Sequence, residues 1–279
     1  MLFDIDHVEV TDAVRRALAE DVGPGDVTTE WTVPADRKAS GAFHAKEALV
    51  VAGVELLHTV YAELGGVDSL EIVAPSGTRV DAGACLARVH GLARTLLTAE
   101  RTALNFMQRL SGVATVASQY VDAVAGTGAK ILDTRKTTPG LRRVEKMAAH
   151  CGGVTNHRMG LFDAILIKNN HIAAAGGVRP ALEAVKGAAL PPEIEVRTRQ
   201  ELDEALACGA AHLLLDNLTP AEAREWIAYI NGRATCELSG GITLETVRAY
   251  AEAGADFISC GAITHSARAM DIHFRLTLE

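Results

Sequence analysis

Six times in its second half the chain repeats one step: a short apolar run ending in a polar or charged residue, then a helix-like segment. The runs are KILD (130–133), DAILIK (163–168), EIEV (193–196), HLLLD (212–216), TCEL (235–238) and DFISC (256–260). They are too short for helices and rich in Ile, Leu and Val, as parallel strands buried on both faces are. Helix punctuation separates them. Thr198 with Glu201 and Thr219 with Glu222 spell capping boxes, with Pro220 at a first helical position. Gly209 and Gly254 stand where a helix C-terminus takes a left-handed residue. The repeat predicts an open, incomplete parallel α/β barrel over residues 113–267.

Residues 1–112 read differently. AFHAKEALVVAG (42–53) and GTRVDAGACLARVHG (77–91) alternate and carry glycines, which predicts strands of a mixed sheet. RTLLTAERTALNFMQRL (94–110) predicts a helix, with Leu97, Leu104 and Met107 near helical spacing. The expectation is a smaller α/β sandwich-like domain before the barrel.

The chain has 279 residues, 48% of them hydrophobic and 22% charged, enough apolar material for a sizeable core. A net charge of −8 argues against a nucleic-acid partner, and aromatics at 4% leave little for base stacking. No membrane association is expected: the longest stretch free of Asp, Glu, Lys and Arg, Leu110 to Val121, is 12 residues long, and a span needs about 20. MLFDIDHVEV lacks the basic and apolar regions of a secretory signal. Five cysteines without a C-x-x-C pair fit a reduced, cytoplasmic setting.

Charge is unevenly spread. Residues 130–170 hold eight Lys/Arg against three acids, whereas residues 193–256 hold twelve acids against five arginines. A basic block inside an acidic chain predicts an anion site. Arg142, Arg143 and Lys146 are expected on a solvated helix face. Arg135, Lys136 and Lys168 follow or end strand-like runs, and residues after parallel strands converge at the barrel mouth. That rule also collects Thr134, Asn169, Asn170, His171, Glu195, Asp216, Ser239-Gly240-Gly241 and Gly261. Arg135 and Arg158 suit bidentate grips on carboxylates. Glu195 and Asp216 are hard oxygen ligands that suit Mg²⁺, bound directly or through water. A structural ion pair with Arg197 or Arg199 competes for Glu195, and strand alternation puts Arg197 on its face. The glycine-rich loops suit a phosphate. His157, His171 and His265 on their own read as structural histidines, and Cys236 and Cys260 as core residues.

Three longer segments, GLARTLLTAERTALNFMQRLSGVAT (91–115), DTRKTTPGLR (133–142) and NHRMGLFDAILIKNNH (156–171), resemble the quinolinate phosphoribosyltransferase family. SGG (239–241), CGAITHSARAMDIHF (260–274) and the early EDVGPGDVTTE (20–30) extend the resemblance over nearly the whole chain. It implies a C-terminal tail, 268–279, that returns to the first domain, and a homodimer or larger homo-oligomer. It also implies the reaction of quinolinate with phosphoribosyl pyrophosphate, with Mg²⁺, to nicotinate mononucleotide, pyrophosphate and CO₂, within NAD biosynthesis. Arg135, His157, Arg158 and Lys168 would hold the quinolinate carboxylates, and Arg101 would reach the neighbouring subunit's site. Lys136 would sit near the pyrophosphate and ring nitrogen, with Thr137 beside it among the substrate-binding residues. Glu195 and Asp216 would face the ribose and its metal, and Ser239, Gly240, Gly241 and Gly261 the 5′-phosphate. Lys136, Lys168, Glu195 and Asp216 would carry the chemistry. Asn169, where the family often has an acid, and MAAHCGG (147–153) depart from its pattern. Two other readings stay open: a barrel aldolase forming a Schiff base at Lys168, and a non-catalytic or transport-associated relative of the same fold.

Overall fold

The computed structural model describes residues 4–278, so the first three residues of the N-terminal segment and the last of the tail lie outside it. In chain order the elements begin α1 (Val8–Val22), α2 (Val27–Thr32), β1 (Lys38–Ala45), β2 (Leu49–Val50), α3 (Leu56–Glu63), β3 (Ser69–Ile72), β4 (Arg79–Val80), β5 (Cys85–Leu92) and α4 (Ala93–Ala123). There follow β6 (Lys130–Leu132), α5 (Arg142–Cys151), β7 (Ile165–Ile167), α6 (Asn169–Ala175), α7 (Val178–Ala184), β8 (Pro192–Val196), α8 (Arg199–Ala207), β9 (His212–Asp216), α9 (Pro220–Ile230), β10 (Thr235–Ser239), α10 (Val247–Ala251), β11 (Phe257–Ser259), α11 (Ala262–His265) and β12 (Ile272–Leu278). The chain divides into two compact units: Met1–Ser118, Thr137–Gly153 and Ile263–Glu279 form one, Gln119–Lys136 and Val154–Ala262 the other. Among the described residues, no helix is long and apolar enough to cross a membrane.

The first unit is built on a four-stranded sheet in the order β12-β1-β5-β3. Every pairing in it is antiparallel, which corrects the mixed sheet expected from the alternation. Alternation reports which face is buried, not which way a neighbour runs. The tail strand β12 pairs with β1 from Ala39 opposite Leu278 to Ala45 opposite Ile272. Phe43 and Phe274 meet across this pair at 4.7 Å between ring centroids. Helix α4 continues well past the 94–110 pattern, through Gly112, to Ala123; no proline follows to stop it before then.

A buried ion pair anchors α5 within this unit. Glu145 is fully buried, and its Oε1 accepts from Arg109 Nε at 3.0 Å and Nη2 at 2.7 Å. The same carboxylate accepts from Thr138 N at 2.9 Å and Oγ1 at 2.7 Å, which fixes the turn entering α5. Lys146 is fully buried as well, so the solvated face expected for it is wrong. The basic run hid a core position, because α5 turns 146 inward with Val144 and Ala149. Arg143 reaches Glu9 at 2.8 Å, and Arg142 Nε donates to Thr137 Oγ1 at 3.1 Å.

The second unit carries a six-stranded parallel sheet in the order β6-β11-β10-β9-β8-β7. Its end strands β6 and β7 do not pair with each other, so the barrel is open. All six predicted runs are strands. Ile194, Val196, Leu213, Leu215, Cys236, Leu238 and Ile258 pack on the helix-facing side and are almost fully buried. Both predicted capping boxes form, at α8 and α9, with Pro220 in the first turn of α9. Gly209 and Gly254 take positive φ, 77° and 100°, directly after their helices.

Within the first unit, a Cβ on Gly112 would lie 1.9 Å from the carbonyl oxygen of Arg268, just before the tail strand. Overpacking of this kind costs about 1–3 kcal/mol, more than the roughly 1 kcal/mol that Ala gains over Gly in a helix interior. Gly112→Ala is therefore expected to lower Tm by several degrees in thermal unfolding. An unchanged Tm would mean that the tail yields freely to the methyl group.

Candidate active site

Alternation along the parallel strands places one set of side chains inside the open barrel. Residues two apart project together: Leu166 and Lys168 at the end of β7, Glu195 and Arg197 from β8, Leu214 and Asp216 from β9, Glu237 and Ser239 from β10. With Ser259 of β11 and the Thr134–Lys136 segment after β6, they line a cavity of about 470 Å³ at the C-terminal ends of the strands. This is the end at which parallel barrels place their sites.

The cationic side is assembled by β6 and the loop that follows α5. Leu132 bridges to Thr155 in parallel fashion, extending β6 sideways. Asp133, fully buried, then clamps the loop: Oδ1 accepts from His157 N at 2.8 Å and Oδ2 from Asn156 Nδ2 at 2.6 Å. Asp163 closes the far end by accepting from Met159 N at 2.6 Å and Gly160 N at 2.9 Å. These bonds bring Arg158 beside Arg135. Burial, then the Arg135 charge, push the Arg158 pKa below its ordinary value, although a guanidinium remains protonated. Two half-buried guanidinium groups held close together repel, and an incoming dianion relieves that repulsion.

His157 stands between the two sides. Its Nδ1 accepts from Arg158 N at 2.7 Å. A main-chain N–H can only donate, so Nδ1 carries the lone pair, and this bond assigns the ring proton to Nε2. Nε2 lies 3.5 Å from a carboxyl oxygen of Glu193 and 3.5 Å from one of Glu237. Both ring nitrogens are thus engaged by the protein.

Glu237 is 4% exposed, and its Oε1 accepts from Ser259 Oγ at 2.5 Å. Burial above all, then the neighbouring Glu193 charge, push its pKa up from 4.5 to about 8, against the opposing pull of His157. Near neutral pH it is a carboxylic acid that shares a hydrogen bond with Glu193. The donor atoms of His157, Glu193 and Glu237 lie within 4.8 Å of one another, close enough to hold a metal ion. Here Ser259, the shared proton and the imidazole N–H already occupy them. Neither glutamate was singled out from the sequence. The available signal was an acid in the middle of a short apolar run, which costs several kcal/mol to bury unless it is paired or neutralised.

The acidic side has another solution. Arg197 Nη2 lies 2.9 Å from Glu195 Oε1 and 3.0 Å from Asp216 Oδ2, and Arg197 Nε donates to the same Asp216 oxygen at 3.1 Å. The ion pair weighed for Glu195 exists, with Arg197. Arg199 instead pairs with Asp203 and stacks on Tyr229. Asn217, in a left-handed conformation, donates to Asp216 Oδ2 at 2.7 Å. Despite its charged neighbour, the buried Glu195 Oε1 accepts no hydrogen bond in the structure.

Ser239, Gly240 and Gly241 close the cavity's remaining side. Gly240 has φ +105°, and a Cβ there would lie 2.3 Å from Asn217 Oδ1 and 2.7 Å from its backbone nitrogen. Only glycine fits. Gly241 follows at φ +60°, so both glycines of the turn take conformations that favour glycine.

The structure therefore brings Arg135, Lys136, His157, Arg158, Lys168, Glu195, Asp216, Ser239, Gly240 and Gly241 to one cavity. Gly261 follows β11 and is not among the lining residues. Arg101, exposed on α4, and Thr137 belong to the other compact unit. His171 is structural: its Nδ1 accepts from Lys168 N at 2.9 Å at the start of α6. The five cysteines are free, and burial pushes the Cys151, Cys236 and Cys260 thiols up to about 12, so these three are not nucleophiles at neutral pH.

Comparison with known proteins covers both units. Residues 113–275 match the model of the quinolinate phosphoribosyl transferase C-terminal domain, and residues 26–111 that of its N-terminal domain. A nicotinate-nucleotide pyrophosphorylase (carboxylating) of Mycobacterium leprae is 45% identical over 280 residues, spanning 98% of this chain and 99% of the relative. A chloroplastic protein of the same name from Oryza sativa is 40% identical over 288 residues, covering 95% of this chain and 77% of its own. The solved nicotinate-nucleotide pyrophosphorylase of Francisella tularensis superposes with a TM-score of 0.92 at 37% identity, covering 99% of both chains. That of Ehrlichia chaffeensis gives 0.91 at 35% identity, over 96% of this chain and 98% of the other.

The raised pKa of Glu237 sets a pH dependence of stability. The unfolded chain releases this proton near pH 4.5, the folded chain only near 8. Folding therefore loses stability as pH rises between these values, by up to about 1.4 kcal/mol per unit. Glu237→Gln keeps a neutral group of the same shape and removes this loss. Its Tm relative to the parent should climb from pH 5 to pH 8 and level off above. A difference that stays constant with pH would mean that Glu237 is ionised in the folded protein.

Proposed function

The chain belongs to the quinolinate phosphoribosyltransferase family, and we infer from this membership and the cavity that it joins quinolinate to phosphoribosyl pyrophosphate, releasing pyrophosphate and CO₂ and leaving nicotinate mononucleotide. The observation that carries this reading is the opposition of two charged walls in one hollow: Arg135, Lys136, Arg158 and Lys168 on one, Glu195 and Asp216 on the other.

The cationic wall suits an acceptor with two carboxylates. Arg135 and Arg158 offer planar forks and Lys168 a point charge, while His157, with both nitrogens engaged, serves to fix the Arg158 backbone. As the bond from the anomeric carbon to pyrophosphate breaks, positive charge develops on the sugar, and Glu195 and Asp216 are the carboxylates that would stabilise it. Lys136 would face charge growing on the leaving group, and the Ser239–Gly241 turn would hold the 5′-phosphate. Once ribosylated, the ring nitrogen is cationic. Loss of the adjacent carboxylate as CO₂ then leaves an electron pair on carbon beside that nitrogen, which takes up a proton from water to give nicotinate mononucleotide, so ribosyl transfer precedes decarboxylation. A Schiff-base role for Lys168 is not favoured, since it shares its wall with three other cations and suits a clamp.

A divalent cation fits the acidic wall. Two hard carboxylates face a single guanidinium, and Glu195 Oε1 is buried without a hydrogen bond. Glu195 and Asp216 would hold Mg²⁺, directly or through water. When bound, it supplies charge neutralisation for the pyrophosphate that leaves. Arg101 on α4 is proposed to complete the site of a neighbouring subunit in a homodimer or larger homo-oligomer. A reducing, cytoplasmic setting agrees with five free cysteines.

An assay with quinolinate, phosphoribosyl pyrophosphate and Mg²⁺ should yield one CO₂ per nicotinate mononucleotide. In rapid quench, pyrophosphate should precede CO₂, and the reverse order would refute the sequence of steps. Nicotinate, with one carboxylate, should be turned over at least about a hundredfold less efficiently, because it leaves a cation of the wall unmatched. Comparable turnover of the two acids would defeat the two-carboxylate reading. Arg101→Ala mixed with Lys168→Ala, each inactive alone, should regain activity in hybrid dimers. Hybrids that form but stay inactive would place both residues in one subunit's site.

A further inference from the structure

We propose that Arg197 is a built-in, displaceable counter-ion that occupies the place a divalent cation takes between Glu195 and Asp216. This inference rests on the metal-binding reading of those two carboxylates given above. One guanidinium nitrogen, Nη2, sits 2.9 Å from Glu195 Oε1 and 3.0 Å from Asp216 Oδ2, so a single positive charge bridges both acids. The three side chains differ in exposure. That of Glu195 is 5% accessible and that of Asp216 11%, whereas that of Arg197 is 44% accessible. The acids are fixed in the wall, and the arginine enters from the solvent side, where it is free to leave.

The bridge is also an imperfect one. Asp216 Oδ2 receives hydrogen bonds from Arg197 Nε and from Asn217 Nδ2. Glu195 Oε1 has the Arg197 charge close by but no hydrogen bond, although its side chain is more than nine-tenths buried. A buried carboxylate oxygen that has a charge at 2.9 Å but no directed N–H is open to a better-matched cation. Two carboxylates against one guanidinium leave a net charge of −1, which attracts a further cation without fully excluding the one present.

Mg²⁺ favours one or two carboxylates together with substrate phosphates over an all-protein cage. Alone, it must expel Arg197 with only two carboxylates to reward it. Accompanied by the polyanionic donor it gains phosphate oxygens, and the expelled guanidinium keeps an anionic environment at the mouth. Arg197 thus makes metal loading depend on the donor.

Mn²⁺ alone, titrated into the full-length protein without substrates and followed by the electron paramagnetic resonance signal of the free ion, tests this. Arg197→Gln should bind Mn²⁺ about tenfold or more tightly than the parent. Arg197→Lys, which keeps a charge, should stay near the parent, and the double variant Glu195→Gln/Arg197→Gln should lose the gain. If the parent and Arg197→Gln bind alike while Glu195→Gln abolishes binding, the counter-ion inference is overturned and the metal site stands. If no variant with an intact thermal transition binds Mn²⁺, in the absence or presence of phosphoribosyl pyrophosphate, the metal site falls and the counter-ion with it.

Discussion

Carboxylates inside a parallel barrel are the constraint that organises the second unit. Strand β8 puts Glu193 and Glu195 on the inner face and β10 puts Glu237 there; Glu195 and Glu237 are both 4% exposed. Leaving either ionised and isolated there would cost several kcal/mol. The protein resolves the two differently. Glu195 is set against the Arg197 guanidinium, and Glu237 takes a proton and bonds with Ser259 and Glu193. Chemically identical groups, set on either side of Leu214 of β9, thereby acquire different surroundings. One is an anion that can face a developing cation, and the other is a neutral support under the cationic loop. Environment, not residue type, makes the division.

The cationic wall depends on the same economy of charge. Arg135 and Arg158 repel each other, and their proximity is imposed by the backbone bonds of Asp133 and Asp163 to the 156–160 loop. These two acids accept from the main chain at His157, Met159 and Gly160, and so fix the course of the loop that carries Arg158. The His157 ring extends the chain of support, with Arg158 N on one nitrogen and the Glu193–Glu237 pair by the other. A loop held by so many directional bonds keeps its guanidinium groups poised where a mobile one would let them separate into water.

The barrel was legible in the sequence because its strands, covered on both faces, must be apolar runs, and because its helices announce their starts with Thr198 and Thr219. The rims were legible in part: Arg135, Lys136 and Lys168 reach the cavity from strand ends, whereas Asn169, Asn170, His171 and Gly261, picked out by the same rule, do not line it. Residues inside the strands were not. Glu237 in TCEL has the local signature of a strand that merely meets solvent, and only the parallel neighbours β9 and β11 show that it is enclosed. Lys146 failed for the converse reason: a basic run looks solvated until packing shows which turn faces inward. Sheet direction in the first unit was equally hidden, since β1 and β5 alternate in the same way whichever direction their neighbours run.

Arg197 joins the two levels of description. Sequence alternation alone places it on the face of Glu195, where it reads as a rival to function, as though an ion pair and a binding site excluded each other. The geometry makes them successive states of one device. Folding would not tolerate two bare carboxylates in the wall, so a site for a cation that comes and goes needs a resident cation when the ligand is away. A lysine or arginine anchored deep in the core would satisfy folding but never yield the site. One anchored at the rim, two residues beyond Glu195 on the same strand face and 44% accessible, satisfies folding and can still withdraw. The position of the charge on the strand, more than its presence, is what makes the acidic wall usable.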